Sequence, residues 1–175
     1  MPLDLTLAFR PLNIAVLTVS DTRGLAEDRS GDALVAMLEV AGHLLARRDI
    51  VRDDLDGIIE WLSDAVSDST IEIVLTTGGT GVTGRDVTPE AVEAVATKMI
   101  PGFGELFRWQ SYETIGTSTV QSRACACVAD GTYIFALPGS TGAVKDAWNG
   151  ILKDQLDSRH RPCNFADLLP RLTER

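Results

Sequence analysis

Residues 71 to 90 constrain the fold of this chain more than any other stretch. The run Ile71 to Leu75 is apolar enough for a buried strand, and it empties into a loop holding Gly78, Gly79, Gly81 and Gly84. Glycine lets backbone N–H groups turn outward and lets an anionic ligand approach the main chain closely. Arg85 and Asp86 follow, and Thr88-Pro89-Glu90 reads as N-cap, first-turn proline and acidic first turn of a new helix. A strand, an anion-cradling loop and a helix N-terminus predict a phosphate site. Asp86 beside it predicts a divalent metal, Mg²⁺, bridging those phosphates.

Several site classes are excluded. Gly79-Thr80-Gly81-Val82-Thr83-Gly84 fits G-x-G-x-x-G, but a dinucleotide turn follows the first strand and needs an acid closing a second strand about 20 residues on. The corresponding region, Met99 to Phe107, is broken by Pro101, Gly102 and Gly104 and shows no strand pattern. A P-loop fails because no Lys-Ser or Lys-Thr follows the glycines. With 16 Lys+Arg against 25 Asp+Glu the net charge is −9, which argues against non-specific nucleic-acid binding. No apolar run approaches the ~20 residues of a membrane helix, and Met1 opens no signal peptide. Cys125, Cys127 and Cys163 lack zinc spacing and are expected to be small buried apolar residues in a reducing, cytoplasmic setting. Cys125 and Cys127, two apart, face one side of a strand. His43 and His160 lie too far apart in sequence to suggest a histidine metal site.

The rest of the chain alternates strands and helices. Asn13 to Ser20 is a nearly unbroken apolar strand, the kind buried on both faces of a parallel sheet. Ser30 is expected to cap a helix carrying Leu34, Val35, Leu38 and Ala41 on one face, stopped by Gly42. Leu44 to Val51 is a second strand. Leu55, Ile58, Ile59, Leu62, Ala65 and Val66 mark a second amphipathic helix. The third helix starts at Pro89, with Val92, Val95, Ala96 and Met99 inward. After a connection broken by Gly and Pro, Ala124 to Ala129 and Tyr133 to Leu137 flank the hairpin signal Asp130-Gly131. Pro138-Gly139-Ser140-Thr141 opens a last long helix bearing Trp148. The pattern predicts one α/β domain over residues 1–175: a doubly wound, mostly parallel sheet flanked by helices, with a β-hairpin bringing an antiparallel strand.

In such a sheet, of order 2-1-3, a ligand crevice opens at the carboxyl ends of strands 1 and 3. Strand 1 ends in Ser20-Asp21-Thr22-Arg23, strand 3 in Thr77 and the glycine loop. Pro138, Gly139 and Ser140 are expected on the same rim, and strand 2 brings Asp53 and Asp54. Each residue also has a purely local role open to it: Asp54 or Ser140 as helix cap, Asp21 within its own turn.

These residues resemble a known family. Thr76-Thr77-Gly78-Gly79-Thr80-Gly81, Arg85-Asp86-Val87-Thr88-Pro89-Glu90, Pro101-Gly102-Phe103-Gly104-Glu105, Gln121-Ser122-Arg123-Ala124 and Leu137-Pro138-Gly139-Ser140 are similar to the MoaB/Mog family of molybdenum cofactor biosynthesis. Ile115-Gly116-Thr117-Ser118-Thr119 and Gln155-Leu156-Asp157-Ser158-Arg159 place the resemblance on the MoaB branch. The resemblance implies an adenylyltransferase that joins molybdopterin to the AMP part of Mg-ATP and releases pyrophosphate. It implies catalytic and magnesium-holding roles for Asp86 and for either Asp53 or Asp54. Gly78, Gly79, Thr80 and Gly81 would cradle the nucleotide or pterin phosphate, and Ser20, Asp21, Ser122, Arg123 and Ser140 would line the pterin side. Thr77, Arg85, Pro138 and Gly139 complete the implied substrate-binding set. It also implies a homo-oligomer, trimer or hexamer, with the last helix, Trp148 and the Arg161 to Phe165 tail as contact surface. Two other readings fit the same loops: a non-catalytic pterin-binding or scaffold protein, and a nucleotide pyrophosphatase acting on free ATP.

Overall fold

The computed structural model describes residues 3–174. Its strands are β1 (Asn13–Val19), β2 (Leu44–Val51), β3 (Ile73–Thr77), β4 (Lys98–Met99), β5 (Cys125–Ala129) and β6 (Thr132–Leu137). They form one six-stranded sheet in the order β2-β1-β3-β6-β5-β4. β1 pairs in parallel with β2 and β3, and β3 with β6, while β5 runs antiparallel to both β6 and β4. This is the mostly parallel, doubly wound sheet expected from the sequence. The hairpin is as expected too: Asp130 and Gly131 adopt φ of 43° and 97°, as a two-residue turn of positive φ requires.

Helices cover both faces because the central strands are apolar on both. From β1, Ile14 and Val16 enter one core, while Ala15, Leu17 and Val19 enter the other. Helices α1 (Arg29–Val40), α4 (Pro101–Ile115) and α5 (Thr141–Ala147) close the first core with Leu34, Leu38, Phe103, Phe107 and Val144. Helices α2 (Leu55–Ser67) and α3 (Thr88–Val95) close the second with Ile58, Trp61, Leu62, Ala91 and Val92.

Five expectations need correction. The stretch read as a broken connection is helix α4. Pro101 occupies its first turn, where a missing N–H costs nothing, and Gly104 packs so close to β5 that a Cβ would sit 2.4 Å from the Ala124 carbonyl. Met99 is exposed on the edge strand β4, because α3 ends at Val95. The cap of α1 is Asp28, not Ser30: its carboxylate accepts the Gly31 N–H at 2.9 Å, and Ser30 donates to it. Cys163 is exposed, although Cys127 is buried and shares a core with Cys125 as expected. Finally, α5 runs on through a π-helical stretch, Trp148–Leu152, that buries Trp148. Phe165 packs on Tyr133 and Phe135 with ring centroids 4.8 and 5.4 Å apart. Trp148 and Phe165 therefore serve the chain's own core. Exposed apolar surface lies instead on α4, at Leu106, Trp109, Tyr112 and Ile115.

Candidate functional site

The chain leaves β1 for β2 on one side and returns to β3 on the other, so the strand order reverses between β1 and β3. An open cleft of about 490 Å³ lies at that point. Ser20 and Asp21 reach it from β1, Asp53 from β2, Gly78 to Gly81 and Asp86 from the loop after β3, and Pro138 to Ser140 from β6. Ser122 and Gln121 complete the wall.

Glycine is required where the two turns meet. Gly78 and Gly79 have φ of 110° and 63°. A Cβ on Gly78 would lie 2.2 Å from the Val19 carbonyl, and one on Gly79 would lie 2.8 Å from an Asp53 carboxylate oxygen. Thr88 fixes the turn from below. Its hydroxyl donates to the Gly78 carbonyl at 2.9 Å and its N–H to the Gly79 carbonyl at 3.0 Å. It is buried in the first turn of α3 rather than serving as the N-cap the sequence suggested. The Thr77 side chain is buried and donates to the Pro138 carbonyl at 3.0 Å, tying the two turns together.

The loop amides divide into two sets. The Gly78 N–H donates to the Leu137 carbonyl at 3.0 Å, continuing the sheet ladder, so it is not available to an anion. The N–H groups of Gly79, Thr80, Gly139 and Ser140 make no hydrogen bond among the described residues. Four donors are thus left unengaged on the two turns that line the cleft, and unengaged amides of this kind can receive an anion. The Ser140 hydroxyl also caps α5, accepting from the Ala143 N–H at 3.2 Å.

The carboxylates differ in the same way. Asp54 is a helix cap, accepting the Gly57 N–H at 3.0 Å, whereas Asp53 lines the cleft. Asp53 Oδ1 is buried with no hydrogen-bond partner. Burial, then the negative charges of Asp86 and Asp21, push its pKa upward, although the Val87 amide acts the other way. Asp86 accepts from the Thr83 hydroxyl at 2.6 Å and the Thr83 N–H at 2.8 Å, which hold its carboxyl below the ordinary range. Asp21 pairs with Arg85 at 3.1 Å on the outer rim, where Arg85 is 79% exposed.

Two assignments shift. Arg123 stands behind the glycine loop, donating to the carbonyls of Gly81 and Asp86 and pairing with Glu90, and it lines a neighbouring hollow instead of the cleft. Arg23, absent from the sequence-based assignment, lines the cleft and donates to the Gly139 carbonyl at 3.2 Å. Its signal was its place in the loop leaving β1.

The fold and this cleft define an α/β protein with an open cleft, lined by unengaged backbone amides and carboxylates, at the switch point of its sheet. A family described as "Probable molybdopterin binding domain" matches residues 15–158. Molybdenum cofactor biosynthesis protein B of Escherichia coli (strain K12) is 47% identical over 157 residues, covering 90% of this chain and 92% of the relative. The protein of that name from Bacillus subtilis (strain 168) is 44% identical over 142 residues, covering 81% and 84%. A crystal structure of molybdenum cofactor biosynthesis protein B matches with a TM-score of 0.87 at 36% identity, covering 97% of this chain and 100% of that one. The tungsten cofactor synthesizing protein MoaB from Pyrococcus furiosus matches at 0.76 and 37%, covering 84% and 94%. The chain belongs to the MoaB/Mog family of molybdenum cofactor biosynthesis.

Proposed function

We propose that this chain adenylylates molybdopterin, using Mg-ATP and releasing pyrophosphate. The observation that carries this reading is the buried, unpartnered Oδ1 of Asp53 beside four unengaged amides. A buried carboxylate oxygen without a donor is costly unless a ligand completes it. A phosphate on the amides and a cation on the carboxylate satisfy both halves of the site together.

Asp53 and Asp86 would hold Mg²⁺, and their oxygens suit a hard cation. Among the described residues no three His, Cys, Asp or Glu side chains converge to hold a metal, so Asp53 and Asp86 would be the chain's own contribution to its shell. When bound, the ion neutralises charge on the reacting phosphates. The chain's own residues align the substrates. Loop amides hold a phosphate, Thr83 fixes the Asp86 rotamer, and Thr88 and Thr77 brace the two turns. The terminal phosphate of molybdopterin attacks the α-phosphorus of ATP. It is largely ionised at pH 7, so no side chain need act as base.

Pyrophosphate release from Mg-ATP, measured with and without molybdopterin, tests this. Release that depends on molybdopterin is the expected result. Pterin binding without release would favour a scaffold role, and release from ATP alone a pyrophosphatase. We also infer self-association through the exposed apolar side of α4. Light scattering is expected to show a trimer or hexamer, and a monomer at micromolar concentration would contradict it.

A further inference from the structure

A second hollow of about 420 Å³ opens beside the cleft and shares Ser20, Asp21 and Arg23 with it. Arg48, Asp49 and Arg52 stand in the rest of its wall. Its two carboxylates are already engaged. Asp49 accepts the Trp61 indole N–H at 2.8 Å and pairs with Arg47, while Asp21 pairs with Arg85.

Its cations are not fully engaged. The Arg52 side chain has no partner among the described residues. Arg23 uses one nitrogen, on the Gly139 carbonyl at 3.2 Å and the Ser30 hydroxyl at 3.5 Å. Arg48 is paired with Asp28 and Asp32, yet its Nε is buried with no partner. In a chain of net charge −9, this local surplus of guanidinium selects for an anion. The cleft next door has the opposite balance. Asp21, Asp53 and Asp86 line it, and among the described residues Arg23 is its one cation.

Resting on the adenylyl-transfer reading, we propose that this hollow receives the β- and γ-phosphates of ATP and then the leaving pyrophosphate. Arg23 stands at the boundary of the two compartments. As the attacking phosphate oxygen bonds to the α-phosphorus, the bond from that phosphorus to the bridging oxygen breaks. The bridging oxygen keeps the electron pair and departs on pyrophosphate. Negative charge therefore grows on the side where Arg23 and Arg52 lie, and their forked donors suit phosphate oxygens.

Calorimetric titration of inorganic pyrophosphate and of AMP, each with Mg²⁺, onto the wild-type chain, Arg52→Gln and Arg23→Gln tests the assignment. Both side chains are on exposed residues, and thermal melts check that the variants fold. Arg52→Gln is expected to weaken pyrophosphate binding about tenfold, the loss of one charge-assisted contact, and to leave AMP binding unchanged. Arg23→Gln should weaken pyrophosphate at least as much. Wild-type pyrophosphate affinity in both variants, or no pyrophosphate binding to the wild type, would overturn the hollow's role while AMP binding kept the adenylyl reading intact. Arginine-dependent pyrophosphate binding without AMP binding would keep the hollow and count against that reading.

Discussion

Two strand-to-helix connections, β1 to α1 and β2 to α2, each carry a carboxylate with a buried oxygen, and the two are engaged in opposite ways. Asp28, before α1, has a fully buried side chain whose oxygens are engaged. It accepts from the Gly31 N–H at 2.9 Å and the Thr18 hydroxyl at 2.8 Å, and pairs with Arg48 at 3.0 Å. Burial alone would raise its pKa, but these partners outweigh burial and lower it. Asp53, before α2, also loses water but gains no such set of donors, and its pKa rises. The neighbouring Asp54 does the capping that Asp28 does for itself. Burial says little about a carboxylate's purpose until its partners are counted. One of these is complete within the chain, and the other carries an oxygen that no donor of the described residues completes.

The largest effect that bears on this contrast is expected at Asp86. Asp86→Ala should lower molybdopterin-dependent turnover by about 10²–10³, the cost of losing one preorganised charge partner in a transition state. Near-normal turnover would leave Asp53 alone in the metal role and break the pairing proposed here.

Next in size is the structural carboxylate. Asp28→Ala should destabilise the fold by about 3 kcal/mol in chemical denaturation, since Arg48, the Gly31 amide and the Thr18 hydroxyl lose a shared partner. A loss below about 1 kcal/mol would mean that water replaces it readily and that the two connections differ less than their partners suggest.

A smaller effect is expected in the pH dependence. The folded pKa of Asp28 is lowered from 3.8, so its stabilisation is complete above that value and is lost as pH falls. The folded pKa of Asp53 is raised from 3.8, so its contribution is favourable below that value and is lost as pH rises through the raised one. The melting difference between wild type and Asp28→Ala should therefore shrink in acid. The difference between Asp53→Asn and wild type should appear as pH rises toward neutrality. Curves that run parallel across pH 3 to 7 would contradict both directions.

Much of this was legible in the sequence. Apolar runs located β1 and β3, Asp130-Gly131 located the hairpin, and the switch-point rule brought Ser20, Asp21, the glycine loop and Pro138 to Ser140 to one rim. Helix α4 was not legible, because Gly102 and Gly104 signal a break while tertiary packing of Phe103 and Phe107 overrides it. Nor was the engagement of single groups. The Gly78 amide is used by the sheet, Thr88 pins the loop, and Arg123 supports it from behind. The glycine loop and the family resemblance suggested substrate contacts for Gly78 and Arg123, and Thr88 read as a helix cap, but partner geometry decides each one, and adjacent residues such as Asp53 and Asp54 part ways on it.

The most direct test measures Asp53→Asn twice on one preparation, for molybdopterin-dependent pyrophosphate release and for thermal midpoint at neutral pH. The substitution keeps the shape and removes a charge that burial opposes. Release should fall about 10²–10³ while the midpoint stays level or rises. A variant that keeps its turnover, or that loses stability as Asp28→Ala is expected to, would show that Asp53 is a structural carboxylate and that the cleft is not built around it.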